Sequence, residues 1–195
     1  MHQQLFDHFA TLLSYPQSDY RNEMSAFSDT LTQLQRSEVA QPEHDSAGLG
    51  SALTEMARLF DTFAGHIAAM SDTEIEELFT RTFDMNPPCC LETGWHLYGE
   101  TYDRGAFLVQ MRTQLRRFAI VESSELPDHL RHVLQVLSQL PEQEVEVLAV
   151  QVVAPTLEKI LTGFGEERKN PYIAVLQSLQ VLITFLYPVE KEVLA

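Results

Sequence analysis

Cysteine is nearly absent from this chain: among 195 residues there are two, and they are neighbours, Cys89 and Cys90. Adjacent cysteines cannot tie distant segments together, so a disulfide framework is excluded and a reduced, cytoplasmic protein is expected. Cations are also scarce. Thirteen Lys and Arg face 28 Asp and Glu, a formal charge of −15 with a pI near 4.7. Such an excess opposes electrostatic binding of nucleic acid or anionic membranes and suits a basic partner. Long apolar runs are missing too: the longest uncharged one, Val181–Tyr187, is interrupted by Thr184, whereas a membrane span needs about 20 residues. The segment MHQQLFDHFATLL has no basic region and carries Asp7 within its apolar stretch, so it is not expected to act as a secretory signal. The Arg116-Arg117 pair lies mid-chain, not at a leader.

Glycine (8) and proline (9) are sparse and sit where helices should start or stop. With 45% hydrophobic and 21% charged residues the chain reads as one globular domain over 1–195. Leu5, Phe6, Phe9, Leu12 and Leu13 form a helical face stopped by Pro16. Tyr20, Met24, Phe27, Leu31 and Leu34 repeat at three and four. Leu49, Leu53, Met56, Phe60, Phe63, Ile67 and Met70 keep a strict four-three alternation on a long helix. Between these two helices periodicity is lost around Pro42, Gly48 and Gly50, which predicts a mobile loop at 37–50. Ser71-Asp72-Thr73-Glu74 has the form of a capping box opening a helix with Ile75, Leu78, Phe79 and Phe83. Residues 84–99 read as irregular. Further helices are predicted near Asp103–Phe118, from about Pro127 to Leu140, and from Asn170 as N-cap to Pro188. Glu144–Val147 alternates like a strand, yet a lone strand has no partner here; a helix through Phe164, kinked by Pro155, is the consistent choice. The fold class is therefore all-α, a single-domain helical bundle.

Enzyme signatures are largely missing. There is no phosphate-binding glycine loop, no G-x-S-x-G, no H-E-x-x-H, and no Glu-x-x-His of the kind that di-iron bundles use. A metal-dependent reading would have to draw on Glu92, His96, His129 and His132. Two histidines three apart are more often exposed helix residues than ligands. Cys89-Cys90 is better read as a packed or partly exposed thiol pair than as a redox or zinc site.

Charge is segregated. Residues 37–92 hold 11 acidic and 2 basic residues, whereas Asp103–Phe118 holds four arginines against Asp103 alone. Between them lies a segment in which Trp95, His96, Tyr98 and Tyr102 are interleaved with Asp84, Glu92, Glu100 and Asp103. Aromatics among carboxylates suit capture of a peptide that is both apolar and cationic. Equally, these aromatics can close the core, Asp103 can cap the next helix and Arg104 can pair with a structural carboxylate.

Short motifs then acquire a context. GETYDRG (Gly99–Gly105) resembles a G-E-x-x-D-R-G motif, and ELPDHL (Glu125–Leu130) an E-L-P-D-x-L. LLSYP (Leu12–Pro16), Thr82-Phe83-Asp84, VAPTL (Val153–Leu157) and ERKNPYIAVL (Glu167–Leu176) follow in matching order. Together they resemble the NarJ-type assembly chaperones, or nitrate reductase delta subunits, within the wider TorD/DmsD group. The resemblance implies an all-helical, cytoplasmic, non-enzymatic chaperone with no cofactor of its own. It would bind the N-terminal peptide, twin-arginine-type or a remnant, of a molybdenum oxidoreductase catalytic subunit, and assist molybdenum-cofactor and iron–sulfur insertion before assembly or export. On the motif positions the expected peptide-binding residues are Asp84, Trp95, His96, Tyr98, Glu100, Tyr102, Asp103 and Arg104. The stretch NPPCCLETGWHLY departs from the Leu-rich segment of nitrate reductase members, so within the dimethyl sulfoxide reductase group the resemblance leans from nitrate reductase towards relatives serving other clients, such as selenate, chlorate or hydrocarbon-oxidising enzymes. A structural subunit of a reductase complex is the alternative non-enzymatic role.

Overall fold

In a computed structural model that describes residues 2–40 and 47–188, the apolar stripes become α1 (His2–Leu12), α2 (Tyr20–Ala40), α3 (Ala47–Ile67), α4 (Asp72–Phe79), α5 (Thr93–Tyr98), α6 (Tyr102–Arg117), α7 (Leu130–Gln139), α8 (Glu142–Leu148), α9 (Ala154–Gly163) and α10 (Tyr172–Leu186). Among the described residues no strand forms; one antiparallel bridge joins Glu92 to His129. The all-α bundle is thus the observed architecture. Of the predicted 37–50 loop, 37–40 are helical and close α2 and 47–50 are helical and open α3; residues 41–46 lie outside the described residues.

The core is built by α3 packing on α10 and α1 on α7, with α2 laid across α1 and α3. At its centre the buried Tyr172 ring meets Phe63, Phe79 and Phe83 at 5.3, 5.8 and 4.9 Å between centroids. These tilted and edge-on contacts suit the ring quadrupoles. Tyr20 donates its hydroxyl hydrogen to the Leu12 carbonyl (2.9 Å) and lies 3.4 Å from the Tyr172 hydroxyl. Asn170 donates from Nδ2 to Thr82 Oγ1 (2.8 Å), while its Oδ1 accepts from the Tyr172 amide (3.1 Å) at the first residue of α10, whose N-cap is Pro171 and not the predicted Asn170. The short motifs at 12–16, 82–84 and 167–176 are therefore tied together by buried hydrogen bonds. A buried polar atom left without such a partner would cost about 1–3 kcal/mol.

Helix starts follow local chemistry. The Ser71–Glu74 capping box forms, with Ser71 N donating to Glu74 Oε2 (2.7 Å) and Glu74 N to Ser71 Oγ (3.3 Å). Elsewhere the sequence reading needs correction. Helix α6 begins at Tyr102 after Thr101, so Asp103 lies in its first turn and is not the cap. Residues 84–99 are not wholly irregular: Pro87–Cys89 makes a 3₁₀ turn and Thr93–Tyr98 is helical. Helix α7 starts at Leu130, and its cap is His129. The 142–163 segment is a helix throughout, with a π-turn at Ala149–Val153 closed by the Ala154 amide on the Ala149 carbonyl. Pro155 explains the turn. It has no N–H, and its ring would press on the Gln151 carbonyl in a regular helix, so the helix widens one turn before it. A second π-turn, Thr80–Asp84, follows directly on α4 and ends at Asp84, with Met85 N donating to Thr80 O (2.9 Å).

Candidate functional site

Helices α5 and α6 fold back on each other through Gly99, whose φ of 61° is open to glycine without strain. Side chains one helical turn apart on α5 then meet side chains one turn apart on α6. Trp95 lies under the Arg104 guanidinium, 5.7 Å from its ring centroid, and Tyr98 lies 5.6 Å from Phe107. Arg104 in turn donates from Nε to Oδ2 of the wholly buried Asp128 (3.0 Å). This ion pair joins the two motifs at 99–105 and 125–130. The Asp128 carbonyl accepts both the amide and the hydroxyl of Thr93, each at 2.8 Å.

Beside the Trp95–Arg104 stack is a cleft of ≈ 370 Å³ bounded by Phe83, Asp84, Pro87, Glu92 and Leu126. Glu125 faces the same carboxylates. Burial raises the Asp84 carboxyl, with Glu92 adding to it against a Thr80 hydrogen bond; burial also raises Glu125, with Asp84 and Glu92 adding and Arg131 opposing. Three carboxylates thus repel one another, two of them, Asp84 and Glu92, in the lining of the cleft. Its near cation, Arg104, is already committed to Asp128, so an incoming cation would relieve the repulsion.

The eight expected peptide-binding residues divide. Asp84, Trp95 and Arg104 line the acidic cleft. Tyr98 lies one turn along, on a separate groove between α6 and α8. His96 turns away: Nε2 donates to the Cys90 carbonyl (2.7 Å), and its own carbonyl accepts from Lys159 Nζ. Glu100, Tyr102 and Asp103 stand exposed at the α5–α6 junction, Tyr102 almost completely (99%). Sequence reasoning missed Glu125, Leu126 and the α6–α8 groove. The first two lie in the E-L-P-D motif. The groove was signalled only by Val147, an apolar residue left among the glutamates of α8.

The histidines are not the exposed pair expected. His129 and His132 are buried, at 5% and 0% exposure. His129 Nδ1 accepts from the Arg131 amide (3.2 Å). His132 Nδ1 donates to the Leu126 carbonyl (2.9 Å), and Nε2 accepts from the Ser123 amide and hydroxyl (3.3 and 3.2 Å). Burial lowers both, His129 to about 3 with His132 and Arg131 contributing. These nitrogens are committed to hydrogen bonds, and among the described residues no three His, Cys, Asp or Glu converge in a metal-holding geometry. The thiols are likewise unsuited to chemistry. Cys90 Sγ is 3.6 Å from His96 Nε2, but that nitrogen already gives its hydrogen to a carbonyl. Burial pushes Cys89 up to about 11, and burial with Glu92 pushes Cys90 up to about 12. Both remain protonated near neutrality, so neither is an activated nucleophile.

Residues 43–177 match the family described as nitrate reductase delta subunit, and the chain belongs to that family. It is 29% identical over 126 residues to the nitrate reductase molybdenum cofactor assembly chaperone NarJ of Escherichia coli (strain K12), and equally to that of Escherichia coli O157:H7. The match covers 64% of this chain and 52% of each relative, so the chain spans about half the length of these curated relatives. Among the described residues no helix is long and apolar enough to cross a membrane.

Proposed function

We propose that this protein is a cytoplasmic, non-enzymatic chaperone for the catalytic subunit of a molybdenum oxidoreductase. It binds the subunit's N-terminal peptide, twin-arginine-type or a remnant, and holds the subunit while the molybdenum cofactor and iron–sulfur clusters are inserted, before assembly or export. Family membership and the likeness to molybdenum cofactor assembly chaperones support the class of activity. The observation that carries the peptide site is the acidic cleft, which Asp84, Glu92 and Trp95 line together, with Glu125 adding its charge to theirs. Peptide cations meet the carboxylates, and the indole supplies an apolar and cation-accepting surface. Glu100, Tyr102 and Asp103 extend this acidic, aromatic rim outward.

The test is titration calorimetry with a peptide bearing paired arginines followed by an apolar stretch. Trp95→Ala is expected to raise Kd about tenfold at any ionic strength, the effect of losing one well-buried aromatic contact. Glu92→Gln is expected to weaken binding a few-fold at low salt and little at high salt, because partly exposed ion pairs are worth roughly 0–1 kcal/mol and are screened. Unchanged affinity in both folded variants would place the peptide elsewhere and return Trp95 to a purely structural role.

A further inference from the structure

We propose that the groove between α6 and α8 is the docking surface for the apolar face of that same peptide, and that the Arg117–Glu144 ion pair across its mouth is exchanged for a peptide cation on docking. The inference rests on the reading above that the client peptide is both cationic and apolar. The groove, ≈ 440 Å³, has Phe107, Met111, Leu140 and Val152 in its floor, and Val147, 55% exposed, at its edge. Glutamines from both helices, among them Gln110 and Gln143, line it, supplying donors and acceptors for peptide backbone at the rim.

Helix α6 is lightly held. Of its 16 residues only Phe107, Met111 and Leu115 are buried, and it packs on α5 and α7. It is bounded by two left-handed residues, Gly99 and Ala119 (φ 54°), the latter the one positive-φ non-glycine among the described residues. Across the groove it is latched to α8 by two parallel bonds, Arg117 Nη1 to Glu144 Oε2 (2.6 Å) and Arg117 Nη2 to Glu144 Oε1 (2.9 Å). Both side chains are nearly half exposed, 43% and 45%, so the pair is open to competition from solvent-borne cations.

Charge decides the occupant. Helix α8 carries Glu142, Glu144 and Glu146 on seven residues, and a peptide arginine can reproduce the two-bond geometry on Glu144. Arg117 is not stranded by the exchange: Gln114 Oε1 is 3.4 Å from its Nη1, and its guanidinium already lies 4.8 Å from the Phe118 ring centroid. One ion pair replaces another, while the apolar side chains of the peptide gain burial. Position supports a single ligand as well. Tyr98 and Phe107, which wall the groove, sit one turn from Trp95 and Arg104, which wall the acidic cleft, a shift of about 5 Å along each helix. A peptide with cations next to an apolar stretch therefore meets both surfaces at once.

The experiment measures binding of the paired-arginine peptide by calorimetry at low and high salt, with folding of each variant checked by circular dichroism. Val147→Arg sets a bulky cation at the groove from an exposed position and is expected to lower affinity about tenfold or more; Gln143→Trp, also exposed, does the same by bulk and serves if the first variant is unfolded. Arg117→Ala is expected to tighten binding a few-fold at low salt by freeing Glu144, and Glu144→Gln to weaken it, both effects fading at high salt. Wild-type protein that binds while Val147→Arg and Gln143→Trp bind equally well overturns the groove. Weaker binding by Arg117→Ala overturns the exchange. Wild-type protein that does not bind the peptide at all overturns the chaperone reading, and this inference with it.

Discussion

Arg104 is the residue in which positioning and recognition are hardest to separate. Its Nε holds one oxygen of Asp128, whose other oxygen, Oδ1, has no hydrogen-bond partner among the described residues. Gly94 is needed beside them, because a Cβ there would lie 2.6 Å from Asp128 Oδ2. Removing Arg104 leaves a carboxylate with no exposure and no cation. Breaking a buried pair from one side typically costs about 3–5 kcal/mol, whereas removing both charges is far milder. Arg104→Ala is therefore expected to lower the urea midpoint sharply, and Arg104→Met combined with Asp128→Asn to recover most of the loss. Equal losses in the single and double variants would mean that packing, not the stranded charge, dominates. Arg104 thus acts on the cleft chiefly by fixing the indole of Trp95 and the 125–130 turn. A binding defect in its variants has to be read against their stability.

Packing between elements explains two helical glycines of opposite meaning. Gly163 ends α9 against the Pro87–Cys89 turn, where an added Cβ would come 2.2 Å from the Pro88 carbonyl oxygen. Gly65, near the end of α3, has nothing within 4 Å of its would-be Cβ. Alanine favours a helix over glycine by about 1 kcal/mol, so Gly65→Ala is expected to raise the thermal midpoint. At Gly163 the collision is with backbone, and overpacking of about 1–3 kcal/mol outweighs the propensity gain, so Gly163→Ala is expected to lower it. Two shifts of the same sign would refute the packing argument. This contrast also marks what the sequence made legible. Stripes such as Leu53, Met56, Phe60 and Phe63 announce α3 because burial repeats with the helix period, and Ser71–Glu74 announces α4 because its cap is local. Helix α5 was not visible: six residues with Gly94 inside carry no period, and its conformation is decided by distant partners, Asp128 on Thr93 and Lys159 on His96. The site was legible as a set of motif residues. Its division into an acidic cleft, an apolar groove and an exposed rim was not, since that depends on how α5 lies against α6.

At the scale of the molecule, the net charge of −15 suggests that acidification should help, by relieving self-repulsion. The buried histidines work the other way. His129 is held down to about 3 by burial, with His132 and Arg131 adjacent, and His132 is lowered too, by burial and Arg131 against Glu122, Asp128 and its hydrogen bond to Leu126. In the unfolded chain both take up protons below about pH 6.5. The unfolded state then binds more protons than the native state, so stability falls with falling pH, by about 1.4 kcal/mol per unit for each histidine that stays neutral in the fold. Ordinary surface carboxylates change little above pH 5.5; the raised Asp84 and Glu125, which favour the folded state on protonation, act against this loss, whereas His8 and His96, which burial also lowers, act with it. Protonation of His132 would also turn Nε2 into a donor and break its bonds from Ser123, loosening the 118–128 segment that carries Glu125 and Leu126 at the cleft. The urea midpoint is therefore expected to be lower at pH 5.5 than at pH 7.5. His129→Asn is the informative variant, because asparagine keeps an oxygen for the cap of α7 and cannot titrate. Whatever its stability at pH 7.5, its midpoint should change less between the two pH values than that of the wild type. An equally steep change would show that the acid sensitivity arises in the other histidines that burial lowers, His132, His8 and His96, and not in His129.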